Sequence, residues 1–304
     1  MQDSNYSAQR IKSDLLLLLA SVIWGSGFIA QRVAANSMGS FLFNGGRFLL
    51  GMIILLAVTR FRPKIEKSQL RWMFAAGFLL FGASALQQIG LETTSVGNAA
   101  FITSLYVVFI PIILWIFGQQ KIKPVIWLAV GIATFGTLLL STGGIFKPAV
   151  GDWFELIGAV VWAGQILVIG IFGRRSDPLG FTIGEFAVAA GLNLICAGLF
   201  EWGNVAPQTD AWWAMLFSGV FPVTVAFTIQ VYGQRHAPPI DASLIFSLEA
   251  VFAALFGYWL LAEKLQPVQV LGCVLILAAL LLAQSVNFRK KPATSLIAEE
   301  FSEK

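Results

Sequence analysis

The chain has 304 residues, is 57% hydrophobic and only 12% charged, and carries a formal net charge of +4. An ordinary soluble domain is about 45–50% apolar and about 25% charged, so a water-soluble globular enzyme is excluded. The apolar residues fill the chain from Asp14 to Phe288 with short polar breaks, which leaves no room for a separate soluble domain.

Ten apolar runs follow in chain order, at residues 14–34, 40–59, 70–90, 95–117, 124–141, 153–173, 179–200, 211–233, 240–261 and 267–286. A helix needs about 20 apolar residues to cross about 30 Å of hydrocarbon, and most runs have that length. A closed β-barrel, the other way to span a bilayer, alternates polar and apolar residues. Runs such as 275–283 do not alternate. The expected fold is therefore an all-α membrane protein with ten transmembrane helices.

The first run is preceded by Arg10 and Lys12, like a secretory signal. It continues to Ala34 without an A-x-A site, so it is read as an uncleaved span. Trp24, Phe28 and Gln31 share one of its faces. Its Gly25-Ser26-Gly27-Phe28-Ile29-Ala30 fits a dinucleotide fingerprint, but it lies inside a full span and the residue about 20 further on is Arg47, not an acid. The second run holds Arg47, the third Ser84, Gln87 and Gln88, and the fourth Thr103, Tyr106 and Pro111 with Asn98 near its entrance. The sixth carries Trp162 and Gln165, the seventh Glu185, and the eighth Pro222, Thr224, Thr228 and Gln230. Glu249 is tenth in the ninth run, close to the midplane.

Three charged residues are thus placed inside spans: Arg47, Glu185 and Glu249. Each is costly in hydrocarbon, about 2.5–3.5 kcal/mol on insertion scales. Glu249 is the candidate proton-coupling group, because a carboxylate in an apolar setting exchanges protons readily with a neutral form. Arg47 and Glu185 are read as structural charges. At 1.5 Å per residue they sit ~10 Å and ~9 Å from opposite faces, a depth difference of ~10 Å in a ~30 Å core. That argues against a direct salt bridge. The polar side chains avoid lipid and face inward, so Trp24, Gln31, Gln87, Gln88, Asn98, Tyr106, Trp162, Gln165, Thr228 and Gln230 are the candidate substrate contacts. Pro111 and Pro222 remove backbone hydrogen bonds and are expected to bend their helices. Cys196 and Cys273 both lie in apolar runs, and no His, Cys, Asp or Glu cluster has metal-ligand spacing, so neither a metal nor another cofactor is expected.

Lysine and arginine set the orientation. With the N-terminus inside, sixteen of the twenty basic residues fall on the cytoplasmic side, while Arg32, Lys147 and Lys264 fall outside. Both termini are therefore expected in the cytoplasm, as tails over residues 1–13 and 287–304.

The two halves also match each other. At an offset of 143, Ala99, Ile102, Ser104, Leu105, Val108, Phe109, Lys121 and Pro124 meet identical residues, as do Gln87 and Gly90. At an offset of 138, Trp24, Phe43, Gly46 and Phe48 do the same. Five spans per half reverse the direction of the second half, which gives two inverted five-helix repeats over residues 14–141 and 153–286. Inverted repeats of this kind let one site face either side of the membrane in turn.

With Trp24-Gly25 in the first span, Thr94-Ser95-Val96-Gly97-Asn98-Ala99-Ala100 in the fourth, and Ala262-Glu263-Lys264-Leu265 closing the ninth, the chain resembles the EamA-domain members of the drug/metabolite transporter superfamily. The resemblance covers nearly the whole chain. It implies a central cavity lined by spans 1, 3, 4, 6, 8 and 9, and export of a small metabolite, amino acid-like or drug-like, rather than catalysis. The chain departs from the family pattern with Gln120 where the first repeat often has an acid, and Ala250 where a proline often follows Glu249. The expected partners are the lipid bilayer, a small-molecule substrate and a coupling proton; nucleic acid is not among them. The chain is expected to act as a monomer or homodimer in the cytoplasmic (inner) membrane. The alternative is a membrane scaffold without transport, or a protein that handles lipids or nucleotide sugars within the membrane. Neither needs two inverted halves around a polar cavity.

The charge asymmetry makes the first prediction. A fluorescent protein fused to the C-terminus glows in cells and alkaline phosphatase fused there stays inactive; the reverse pattern contradicts the topology.

Overall fold

The computed structural model describes residues 2–35, 37–117, 122–142, 149–201, 209–261 and 266–287. Gln120, Lys121, Lys147, Ala262, Glu263, Lys264, Leu265 and the tail 288–304 lie outside the described residues. Among the described residues the fold is helical throughout, with no strand. Eight stretches are long and apolar enough to cross a membrane: Gln9–Ala35, Ser40–Val58, Lys67–Gly90, Val96–Ile116, Val150–Arg175, Pro178–Phe200, Thr209–Gly233 and Pro239–Trp259. Two further apolar helices, Pro124–Leu140 and Pro267–Ala283, are shorter.

In chain order, α1 is Gln2–Ala35, α2 Ser40–Val58 and α3 Leu70–Gly90. α1 thus begins well before residue 14, and its extra turns carry Arg10. The fourth apolar run is two helices, α4 (Val96–Ser104) and α5 (Tyr106–Ile116), followed by α6 (Pro124–Thr142). α7 (Val150–Phe172) and α8 (Pro178–Phe200) are continuous. The eighth run is α9 (Thr209–Ser218), a π-helical stretch over Gly219–Phe227, and α10 (Thr228–Gly233). The ninth is again broken, into α11 (Pro239–Phe246) and α12 (Leu248–Leu261), and α13 (Pro267–Asn287) closes the bundle.

At each break in the fourth and ninth runs a serine bonds back to the preceding turn. Ser104 Oγ donates to the Ala100 carbonyl at 2.7 Å, and Ser247 Oγ donates to the Leu244 carbonyl at 2.7 Å. Serine hydroxyls that bond back to the preceding turn bend helices. The two serines are equivalent positions at the offset of 143. Pro111, expected to bend the fourth span, sits inside α5. Pro222 lies within the π-helical stretch. Its missing N–H disturbs the regular ladder, and π-turns are a known way to absorb such a disturbance.

The helices pair in a regular way. α2 packs on α8, α6 on α13, α3 on α7, and α1 on the α9–π–α10 stretch. Fully buried Phe43, Phe48, Phe181, Phe186 and Phe246 fill the interior. Large apolar side chains such as Phe74, Phe78, Trp115, Trp213, Trp259 and Leu281 are exposed on the outside. A soluble monomer does not carry apolar exposure of that extent; in a bilayer these residues meet lipid tails.

The two ends differ chemically. At one, Arg10 pairs with Asp14 at 3.0 Å and Asp241 at 2.5 Å, Arg174 Nε donates to the Arg235 carbonyl at 2.9 Å, and Arg235 donates to the Ser176 carbonyl. At the other, Glu201 at the end of α8 accepts from the backbone N–H groups of Phe41 and Leu42, both at 2.8 Å. That carboxylate meets the donors left unpaired at the start of α2. Arg32 donates to the Leu91 and Thr94 carbonyls, and Ser40 donates to Glu92 at 2.7 Å.

The contact between α6 and α13 depends on two glycines. A Cβ on Gly272 would lie 2.4 Å from the Gly136 carbonyl oxygen and 2.6 Å from the Leu140 nitrogen. Such backbone-to-backbone approach is how helices associate without a hydrophobic driving force between them. Gly272→Val should push the helices apart and destabilise the protein by about 1–3 kcal/mol, read as a lower midpoint of thermal unfolding in detergent. An unchanged midpoint contradicts the contact.

Candidate functional site

A central cavity with an empty volume of about 530 Å³, part of it open to solvent, is walled by α1, α2, α3, α4, α5, α7, the π-helical stretch, α10, α11 and α12. Trp24, Phe28, Trp162, Phe227 and Phe246 give it an aromatic surface. Trp24 meets Phe227 and Phe246 edge-on, each with ring centroids 5.1 Å apart, and Trp162 stacks on Phe227 at 6.0 Å. Trp24 Nε1 donates to the Pro222 carbonyl at 3.0 Å, which fixes the indole and ties α1 to the π-helical stretch.

The polar wall has three parts. Glu249, in the first turn of α12, accepts a hydrogen bond at Oε1 from Tyr106 Oη at 3.0 Å. Tyr106 is the first residue of α5, so both groups sit just after the helix breaks. They are separated by 143 residues, the same offset that aligns the fourth span with the ninth. The two equivalent positions of the repeat therefore touch. Gly25 makes room for this arrangement: a Cβ there would lie 2.9 Å from the Glu249 carbonyl oxygen.

The second part runs from Gln87 Nε2, which donates to Thr103 Oγ1 at 3.1 Å, to Glu155, whose Oε2 accepts from Thr103 Oγ1 at 2.9 Å. Glu155 is 0% exposed and lies within electrostatic reach of Asp152 and Glu249. One turn away, Asp152 accepts from Thr94 Oγ1 and from the Ala149 backbone N–H. The third part joins Gln165, which donates to Glu185 at 2.7 Å, to Gln230, which donates to Gln165 at 3.1 Å.

Among the sequence-selected residues, Trp24, Gln31, Gln87, Tyr106, Trp162, Gln165, Gln230 and Glu249 lie on the cavity wall. Gln88 instead turns to α1 and donates to the Gln31 carbonyl at 2.9 Å. Asn98 lies in the first turn of α4, where its backbone N–H meets the Ser95 cap. Thr228 starts α10 and is outside the wall. Glu185 is tied to Gln165, and Arg47 lies on the wall itself with no carboxylate within 4.0 Å among the described residues.

Besides Asp152 and Asp241, Glu155 is a further charged residue buried inside the bundle, and it did not stand out in the sequence. It stands third in the run 153–173, where a charge reads as part of the polar flank. The available signal was its spacing from Asp152, one turn earlier on the same helix face.

The EamA-like transporter family pattern matches residues 11–142 and, a second time, residues 149–284. The chain belongs to the EamA-like transporter family. It is 33% identical over 283 residues to an uncharacterised transporter of Archaeoglobus fulgidus, covering 90% of this chain and 86% of that protein. The uncharacterised inner membrane transporter YedA of Escherichia coli K12 is 24% identical, with 92% of this chain and 94% of YedA aligned. A solved crystal structure superposes with a TM-score of 0.76 at 20% sequence identity, over 91% of this chain and 98% of the other. The EamA membership places the chain among multi-pass membrane transporters of the drug/metabolite superfamily, and its relatives are named as transporters, not enzymes.

Thr103 bridges two buried groups at once. Thr103→Val keeps its shape but leaves Gln87 Nε2 and Glu155 Oε2 without that partner, a loss of about 1–3 kcal/mol. Thermal unfolding in detergent should show it, and a variant as stable as the parent contradicts the bridge.

Proposed function

We propose that this EamA member is a secondary transporter that moves a small organic metabolite, amino acid-like or drug-like, across the cytoplasmic membrane by alternating access. In this reading ten membrane helices form two inverted repeats over residues 14–141 and 153–286, with both termini and the Arg10–Arg174–Arg235 end in the cytoplasm. Export is the direction.

The observation that carries the reading is the Tyr106–Glu249 hydrogen bond. It joins equivalent positions of the two halves, at equivalent helix breaks, on the wall of a polar and aromatic cavity. Broken helices at the meeting point of inverted halves are where transporters hold substrate and coupling ion. Helix packing supports the inversion. α3 against α7 corresponds to the α9–π–α10 stretch against α1, while α2 meets its own counterpart α8 and α6 meets α13. Such a pattern is what a two-fold axis in the membrane plane produces.

Glu249 is the coupling group in this scheme. Its Oε1 is held by Tyr106, and the described residues supply no hydrogen bond to Oε2. That oxygen faces the cavity, where it can take up or release a proton as the cavity opens to each side. The substrate lies against Trp24, Trp162 and the glutamines. A dry scaffold has no use for a cavity with these groups on its wall.

The test is Glu249→Gln in proteoliposomes, with a substrate found by thermal-shift screening of metabolites. The parent protein responds to an imposed pH gradient and Glu249→Gln does not. Retained pH-gradient dependence removes Glu249 from the coupling role.

A further inference from the structure

Arg47 is buried, charged and unpaired, and it lies on the cavity wall. It projects from α2 and is only 4% exposed. Its guanidinium carbon lies 5.0 Å from the Phe43 ring centroid and 5.1 Å from that of Phe48. These two rings, on the same helix, hold the guanidinium plane by cation–π attraction. Its Nε has no hydrogen-bond partner, and no carboxylate comes within 4.0 Å of it among the described residues. Glu185, the equivalent position in the other half, is engaged by Gln165.

An arginine keeps its charge in proteins and presents five N–H donors in a fixed fork. A buried charge without a partner is strongly unfavourable. Each buried glutamate has one oxygen hydrogen-bonded: Tyr106 meets Glu249, Thr103 meets Glu155, and Gln165 meets Glu185. Arg47 has no such partner among the described residues, and it lies on a cavity wall where a solute can supply one.

We infer that Arg47 is the anion anchor of the transport site and that the substrate presents it with a single carboxylate. The inference rests on the transporter reading above. The planar fork matches the two oxygens of a carboxylate. Among the described residues, Arg47 is the cation on the cavity wall and Glu249 the acid, so a single carboxylate matches the one fork better than a phosphate dianion, which would bring a second negative charge with no further cation to meet it. Trp24, Phe227 and Phe246 then take an apolar or aromatic body. The ligand class is an amphipathic monocarboxylate, held head-first on α2 with its tail against α1, the π-helical stretch and α11.

Binding to the full chain in detergent tests this, by intrinsic tryptophan fluorescence with two matched pairs of probes: 3-phenylpropionate against 3-phenylpropanamide, and L-phenylalanine against L-phenylalaninamide. The carboxylate of at least one pair should bind at least about tenfold more tightly than its amide, the range expected for hydrogen bonds to a charged group. Arg47→Gln should remove that preference, and Arg47→Lys, which keeps the charge without the fork, should retain part of it. The wild-type comparison needs no variant, so it stands even if Arg47→Gln fails to fold. Amides that bind as well as their carboxylates, carboxylates that do not bind, or a preference that survives in folded Arg47→Gln each overturn the assignment. A carboxylate that binds through Arg47 but is not moved in proteoliposomes contradicts the transporter reading and leaves the anchor in place. A transported solute indifferent to Arg47 does the opposite.

Discussion

The hydrogen bond from Tyr106 to Glu249 is the contact on which the arrangement turns. A carboxylate deep in an apolar bundle needs a partner, and the chain provides one from the equivalent position of its other half. To bring the two together, the fourth and ninth spans must both break, α1 must come close to α12 at Gly25, and the π-helical stretch must hold Trp24 through the Pro222 carbonyl. The cavity is the space these requirements leave between the halves.

Around this point the two halves have diverged in polarity while keeping their packing. Gln87 and Gln230 are equivalent glutamines on the wall, but Gln87 leads through Thr103 to Glu155, and Gln230 leads through Gln165 to Glu185. Both acidic side chains, Glu155 and Glu185, belong to the second half, and each sits behind an amide-bearing chain that starts at one of these glutamines. Arg47 and Glu185 are also equivalent positions, yet one faces the cavity and the other is sealed behind Gln165. A symmetric scaffold can in this way carry an asymmetric site, with a cation on one wall and a carboxylate on another.

Much of the fold was legible because lipid is a demanding solvent. Apolar runs of spanning length follow from bilayer thickness, and the repeated pattern of Gln, Ser-Leu, Lys and Pro agrees with the two EamA segments at residues 11–142 and 149–284. The helix breaks were not legible. Ser104-Leu105 and Ser247-Leu248 carry no glycine or proline, and a serine that bonds back to the preceding turn also sits in an unbroken helix, as at Ser21. Pro111 lies within α5, beyond the break at Leu105. The cavity wall was legible in part. Gln87 and Gln88 are adjacent and point about 100° apart on a helix, and the sequence does not say which of them faces the cavity. Only the partner helix decides which one does, and here α1 takes Gln88. Glu155 was hidden by its nearness to the start of a run, and nothing in the sequence shows that Arg47 lacks a carboxylate partner from a neighbouring helix.

The central claim is that one cavity, bounded by the two halves, is open alternately to either side of the membrane. Solvent access from each face measures it directly. With Cys196 and Cys273 replaced by alanine, a single cysteine at the wall position Phe28→Cys is labelled in oriented proteoliposomes by a membrane-impermeant maleimide added from one side or the other. The account predicts labelling from both sides, with the ratio shifting when substrate or a pH gradient is applied. Labelling from one side alone under every condition, or from neither, contradicts it.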